Sequence, residues 1–255
     1  MTVLITGGTG SFGHAYVKAH PDDRIRIFSR DEEKQRVMRT LYPDLEYVIG
    51  DVRDRDAVDA AARGVGIIIH AAALKHVGTG EAQPSEVIKT NVLGTENVCR
   101  AGPPVVLLST DKAVEPVNAY GASKMLAERL ALAAGHSVVR YGNVLGSRGS
   151  IVPIFRDQVA RGVPLTITDP DMTRFVLTLD EAIALVTKAM MRPGLYLPNP
   201  SAASVAQFAE AVAPLHPQIV IGIRPGEKRH EKLAEGLTSD TAPRMTTDAL
   251  AALLP

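Results

Sequence analysis

The chain has no excess charge of either sign, a single cysteine and no long apolar run, and each shortage closes off a class of function. Lys plus Arg number 28 and Asp plus Glu number 28. That balance removes the broad positive field behind sequence-independent binding to nucleic acid or anionic membrane, so neither is an expected partner. The lone thiol, Cys99, cannot close an intrachain disulfide. No motif places a base beside it, and it reads as a small packed residue rather than a nucleophile. The longest apolar stretch, Gly64 to Leu74, is interrupted by His70 and is far short of the roughly 20 residues a spanning helix needs. Met1 to Ile5 runs into a glycine turn without a basic n-region or a long apolar h-region, so the expected location is the cytoplasm. The seven histidines show no ligand spacing, and His230-Glu231 lacks the second histidine of a zinc helix; no metal is expected.

What is present is length and apolar content for a sizeable core, with 255 residues and 45% hydrophobic side chains. No internal repeat or low-complexity tract organises them, so the layout must come from periodicity and punctuation. Brief β-branched or aliphatic runs occur at Val3 to Thr6, Arg24 to Phe28, Glu46 to Ile49, Gly66 to His70, Val105 to Ser109 and Ser137 to Tyr141. Such runs suit strands buried on both faces of a parallel sheet. Helical stretches lie between them at Ser11 to Ala19, Asp31 to Leu41, Asp54 to Arg63, Pro84 to Arg100 and Asn118 to Ala134. The repeated βα pattern predicts an α/β fold, a Rossmann-like doubly wound parallel sheet. Beyond about Gly146 prolines thicken, which predicts a division into a Rossmann domain over 1–145 and a smaller, loop-rich region over 146–255, not strictly contiguous.

The first strand ends in Thr6-Gly7-Gly8-Thr9-Gly10-Ser11-Phe12-Gly13, with Gly7, Gly10 and Gly13 three apart and a helix behind them. Gly7 permits the tight turn, Gly10 lets backbone approach a pyrophosphate, and Gly13 lets helix pack on strand, while the helix N-terminus offers free N–H groups to the anion. Thr9, Ser11 and Phe12 complete this candidate cofactor cradle. At the end of the second strand an acidic residue would bond a ribose 2′-hydroxyl and a basic one a 2′-phosphate. The sequence there is Ser29-Arg30-Asp31-Glu32, with Lys34 one helical turn on, which favours NADP and leaves NAD open. Alternatively the acids merely open a helix and the cations are solvated. Asp51 and Val52 fall just past the third strand, where a carboxylate can accept from an adenine amino group, and Ala71, Ala72 and Ala73 past the fourth leave room for a dinucleotide.

Tyr120 and Lys124 are four apart at the start of a helix and share a face. An ammonium there is expected to lower the phenol pKa from about 10, giving a group able to take a sugar-hydroxyl proton as hydride leaves the carbon. The strand before that helix runs into Thr110-Asp111-Lys112. A hydroxyl, a carboxylate and an amine are thereby expected at the same sheet edge.

These stretches, with His70 to Val77, Lys89-Thr90-Asn91, Tyr120-Gly121-Ala122-Ser123-Lys124, Arg140 to Ser150, Met172 to Phe175 and Gly222 to Lys228, resemble the extended short-chain dehydrogenase/reductase family. More narrowly, they resemble its inverting UDP-N-acetylglucosamine 4,6-dehydratases of the pseudaminic-acid and capsule type. Lys112 is the informative position, because retaining dehydratases carry Asp-Glu after the threonine. The resemblance implies oxidation at C4 assisted by Tyr120, abstraction of the C5 proton by Lys112, protonation of the leaving 6-hydroxyl by Asp111, and return of hydride to C6 with inversion at C5. A lysine base must be populated uncharged, which desolvation and the nearby Lys124 are expected to favour. The resemblance further implies cofactor roles for Lys75 and Asn91. For a nucleotide-sugar substrate, expected to be UDP-linked, it implies contacts from Lys75, Asn143, Arg148, Arg174, Arg224 and Glu227. A homo-oligomer stays open. So do a nucleotide-sugar epimerase, a dehydratase forming a 5,6-ene, and a protein that binds NADP without turnover.

Overall fold

The computed structural model describes residues 1–147 and 149–254. Arg148, one of the expected substrate contacts, lies outside the described residues. The first half alternates β1 (Thr2–Thr6), α1 (Ser11–Ala19), β2 (Arg24–Ser29), α2 (Glu32–Leu41), β3 (Glu46–Ile49), α3 (Arg55–Ala62) and β4 (Ile67–His70). There follow α4 (Val77–Ala82), α5 (Pro84–Val87), a π-helical turn at Ile88–Leu93, α6 (Gly94–Cys99), β5 (Val105–Thr110), α7 (Ala119–Ala133) and β6 (Ser137–Tyr141). Helix starts are written in the sequence. Asp31, Asp54 and Asn118 each accept from a backbone N–H three residues on, satisfying donors that have no partner within the helix.

The second half contributes β7 (Asn143–Val144), α8 (Ile151–Ala160), β8 (Leu165–Ile167), β9 (Thr173–Leu177), α9 (Leu179–Ala189) and β10 (Gly194–Tyr196). It ends with β11 (Ala202–Ser204), α10 (Val205–Val212), β12 (Gln218–Val220), β13 (Lys232–Ala234), β14 (Leu237–Thr238) and α11 (Thr247–Leu253).

Seven parallel strands form the main sheet in the order β10-β6-β5-β4-β1-β2-β3. The order reverses between β1 and β4, and in an open α/β sheet that switch point, at the carboxyl ends of the strands, is where a ligand binds. One face of the sheet packs Tyr16 and Val17 of α1, Met38 of α2 and Ile183, Val186 and Ala189 of α9 onto Val3, Ile5, Ile27 and Ile69. The other face packs α3 and α6, through Val58, Ala61 and Val98, onto Leu4, Phe28 and Ile68. Ala127 and Ala131 of α7 cover Leu107 and Val138.

Past residue 145 the chain returns to this sheet, since α9 covers it and β10 pairs with β6 at its edge. The rest forms a second core around Phe155, Leu165, Val176, Phe208 and Leu250, with small sheets ordered β11-β9-β7, β12-β8 and β13-β14. Among the described residues no helix is long and apolar enough to cross a membrane.

The helix expected over Pro84 to Arg100 is continuous in course but widens into the π-helical turn. The widening sits where the Asn91 side chain leaves the helix to bond Leu74 N–H and C=O at 2.8 Å each and Ser123 Oγ at 2.9 Å. One buried amide thus ties the loop after β4 to α7.

Candidate active site

A cavity of about 660 Å³ opens over the carboxyl ends of β1, β2, β4, β5 and β6, from the glycine turn to Tyr120. Gly7 takes φ +66°, and a Cβ there would stand 2.8 Å from the Ala72 backbone; one at Gly13 would stand 1.9 Å from Gly8 O. The turn, the loop after β4 and the first turn of α1 therefore meet through backbone alone. The N-terminus of α1 has no side-chain cap on Gly10. With Gly10, Ser11 and Phe12 on the wall, the cradle fits the diphosphate of a dinucleotide by shape and by its place at a helix N-terminus.

At the 2′ end, Ser29 Oγ lies 3.1 Å from Thr9 Oγ1 and accepts from Asp31 N–H at 3.2 Å. Arg30, Asp31 and Lys34 line the cavity. Lys34 donates its backbone N–H to Asp31 Oδ1 at 2.9 Å and pairs its ammonium with the same carboxylate, so Asp31 opens a helix as well as facing the site. Arg30 reaches Asp51 Oδ2 at 3.4 Å, while Arg53 holds that oxygen at 2.7 Å. Burial alone would raise the Asp51 carboxyl, but bonds from Arg53 and Arg30 hold it below the usual carboxylate range.

The other end of the cavity carries the titratable groups. Asn118 Oδ1 accepts from Gly121 N–H at 2.7 Å, which starts α7 and sets Tyr120 in its first turn. A Cβ on Gly121 would come 2.2 Å from Lys112 O, so the helix bearing Tyr120 rests directly on the turn bearing Lys112. Burial pushes the Tyr120 phenol up to about 12, against the positive field of Lys112 and a hydrogen bond with Thr110. This corrects the expectation that Lys124 lowers it. Lys124 is buried and donates Nζ–H to Leu108 O at 2.6 Å; burial brings its own pKa down to about 8 against the pull of Glu128. Behind it Glu128 is held by Arg140 at 2.5 Å and by Ser109 Oγ at 2.6 Å.

Asp111 is fully buried, and Thr110 Oγ1 and Lys112 Nζ lie 3.0 and 3.1 Å from its Oδ1. Burial raises its carboxyl above the ordinary value, more than Lys112 lowers it. A buried carboxyl of this kind is a proton donor in waiting. Lys112 differs from expectation. Burial favours the neutral amine, but Asp111 and Glu231 Oε1, the latter 3.0 Å away, outweigh it and hold Lys112 as an ammonium.

Of the expected contacts, Lys75 and Asn143 line the cavity, as do Ala71, Ala72, Ala73 and Val52. Asn91 is buried among protein partners. Arg174 is also buried, its guanidinium on Thr173 O at 2.7 Å and Arg229 O at 3.2 Å. Arg224 pairs with Glu227 at 2.8 Å on an exposed stretch. Sequence reasoning passed over Glu231. The available signal was chemical: a buried lysine beside one buried carboxyl calls for a second counter-charge.

The sequence signature described as "Polysaccharide biosynthesis protein" matches residues 3–250. The chain belongs to that family. It is 45% identical to "UDP-glucose 4-epimerase" of Rickettsia canadensis (strain McKiel), over 91% of this chain and 77% of that one. It is 43% identical to "UDP-N-acetylglucosamine 4,6-dehydratase (inverting)" of a Campylobacter jejuni strain, over 90% and 76%. Among solved structures it superposes on Pen from Bacillus thuringiensis with a TM-score of 0.94 at 30% identity, covering 99% of this chain and 96% of that one. The polysaccharide-biosynthesis chain is thus an extended short-chain dehydrogenase/reductase, and the relatives it matches divide between an epimerase and a dehydratase.

Proposed function

We propose that this enzyme is a C5-inverting nucleotide-sugar 4,6-dehydratase that uses NADP and acts on UDP-N-acetylglucosamine. The observation that carries the reading is the Asp111–Lys112 pair beside Tyr120, with Lys112 on the cavity wall. Epimerisation at C4 requires hydride to leave and return to one carbon, with one group to take and restore the O4 proton. It has no use for a second acid–base pair. Loss of the 6-hydroxyl needs a group that removes the C5 proton and one that protonates the departing oxygen, and the raised carboxyl of Asp111 suits the second task. The Campylobacter jejuni relative carries the dehydratase name at nearly the identity of the Rickettsia canadensis epimerase. Similarity alone therefore supports both activities, and the acid–base pair is what favours the dehydratase reading.

In this reading the glycine turn from Gly7 to Gly13 holds the cofactor diphosphate, Asp51 faces the adenine, and Arg30 and Lys34 take the 2′-phosphate. The bound nicotinamide supplies the hydride acceptor and donor. Tyr120 moves the proton at the sugar 4-hydroxyl, and Lys124 beside it supplies positive charge. Lys112 takes the C5 proton once uncharged. Asp111 gives its proton to the 6-hydroxyl, which leaves as water. Lys75 and Asn143 orient the sugar.

Incubation with UDP-N-acetylglucosamine in deuterium oxide, followed by NMR, is expected to yield a C6 methyl group with deuterium at an inverted C5. A C4 epimer that keeps its C5 proton would overturn the dehydratase in favour of the epimerase. The NADP preference has its own test, because the exposed Arg30 guanidinium makes only a long contact to Asp51 and is available to a phosphate. Calorimetry of Arg30→Ala is expected to show NADP binding weakened by about 10- to 100-fold, the loss of one or two charge-assisted hydrogen bonds, with NAD little changed. Equal losses for both would reject the assignment.

A further inference from the structure

Glu231 comes from the C-terminal part of the chain, just before β13, yet its carboxylate lies beside the acid–base pair at the end of β5. We infer that Glu231 is a positioning residue that fixes Lys112 as an ammonium and sets the pH at which that lysine becomes a base. The catalytic consequence rests on the dehydratase reading; the control over the lysine does not.

The geometry is built rather than incidental. Lys112 Nζ sits between Asp111 Oδ1 at 3.1 Å and Glu231 Oε1 at 3.0 Å, and Glu231 is 2% exposed. Its backbone is locked, with N–H donating to Ser239 Oγ and C=O accepting from Ser239 N–H, both at 2.8 Å. The flanking chain is pinned to the stretch that follows Lys112. Asn118 Nδ2 donates to Gly226 O at 2.7 Å, Lys228 Nζ to Val114 O at 2.7 Å, and Lys232 Nζ pairs with Glu115 Oε1 at 2.7 Å. Arg140 Nη1 donates to Leu233 O at 2.6 Å, anchoring the same strap to β6.

The charges facing the cluster are few. Arg174 and Lys228, the latter 3.4 Å from Glu231 Oε2, favour the Glu231 anion, and its charge also acts on Tyr120. His230, next in the chain, turns its ring to Thr173 Oγ1 at 2.9 Å. Lys112 therefore has two carboxyl groups in contact, and Glu231 is the one held as the anion, because Asp111 is pushed towards its protonated form. Without Glu231 the lysine would keep one weakly ionised partner while Arg174 and Lys228 stayed nearby. Burial would then favour the neutral amine.

The test reads Lys112 itself before it reads any reaction. Ligand-free wild type, Glu231→Gln and Glu231→Asp are labelled with acetic anhydride across a pH series, and acylation of Lys112 is followed by mass spectrometry against the exposed Lys188. The pH of half-reactivity at Lys112 is expected to fall by a unit or more in Glu231→Gln, meaning tenfold more neutral amine at a fixed pH. A smaller fall is expected in Glu231→Asp, which keeps the charge but withdraws it by one methylene and serves if the glutamine variant does not fold. An unchanged midpoint overturns the inference and leaves Glu231 as a strap anchor. Deuterium exchange at C5 of the sugar is then measured over the same pH range. An exchange limb that moves down with the labelling midpoint supports both readings. A labelling midpoint that falls while the exchange limb stays leaves the inference standing and removes Lys112 as the base.

Discussion

Tyr120→Phe is expected to reduce C4 oxidation by about 10²- to 10⁴-fold, the range for loss of a positioned acid–base group, with nucleotide-sugar affinity nearly unchanged. The substitution removes one oxygen and leaves the ring, and the first turn of α7 stays capped by Asn118. The measurement is the transient NADPH absorbance of a single turnover. Absorbance equal to that of the wild type would put the proton transfer on another group. A pH dependence follows from the environment of the phenol. Its pKa is raised, to about 12, so the charged form is scarce at neutral pH and grows about tenfold for each unit that pH rises towards that value. C4 oxidation by the wild type is therefore expected to quicken as pH rises, and the phenylalanine variant to lose that rise.

Lys112→Ala is expected to leave C4 oxidation in place and to cut exchange of the C5 proton by about 100-fold or more, so that the 4-keto sugar and NADPH accumulate without a 6-deoxy product. C5 exchange at the wild-type rate would show that another group is the base. The variant carries a second signature. Asp111 and Glu231 both lose the cation that contacts them, and breaking a buried ion pair costs on the order of 3–5 kcal/mol. Both carboxyls should then titrate higher in the folded state than in the unfolded chain. For an acid raised in this way, stability is fully present below the unfolded pKa and is lost as pH rises through the folded one. Chemical denaturation of Lys112→Ala is therefore expected to show a deficit that widens from mildly acidic to neutral pH. A deficit independent of pH would mean that the carboxylates find other partners.

The elements legible in the sequence share one property: their own residues carry the signal. Ile67-Ile68-Ile69 and Val105-Val106-Leu107-Leu108 are buried on both faces and read as unbroken apolar strands. Gly7, Gly10 and Gly13 announce their turn by spacing. By contrast β10 is three residues, Gly194-Leu195-Tyr196, in a proline-rich stretch, and only the open edge of β6 makes it a strand. Helix α4 carries Gly78 and Gly80, poor helix formers; its Glu81 accepts from Ala119 N–H at 2.6 Å, a tertiary contact that local propensity does not encode.

The candidate site divides in the same way. Tyr120, Lys124, Asp111 and Lys112 were readable from spacing after a strand, but their protonation states were not. The phenol is raised because it is buried, and the lysine stays charged because Asp111 beside it and a glutamate distant in sequence both reach it. Asn91 and Arg174 matched a pattern by type, whereas the structure spends their polar atoms on neighbouring protein groups.

The contact of Gly121 with Lys112 O has a consequence for how this enzyme could be altered. With no room for even one methyl group between them, the helix that bears Tyr120 and the turn that bears Lys112 form a single block of backbone. Their spacing has no side chain through which mutation could adjust it by small steps. The strap from Gly226 to Leu233 is different: it meets the block through side chains, and its own Lys228 and Lys232 are replaceable without touching the Asn118 cap that starts the helix. Variation in how the chemistry is timed is therefore open in the strap and closed in the block. A library that randomises the strap while leaving Thr110 to Lys124 untouched is where altered product outcomes should be sought.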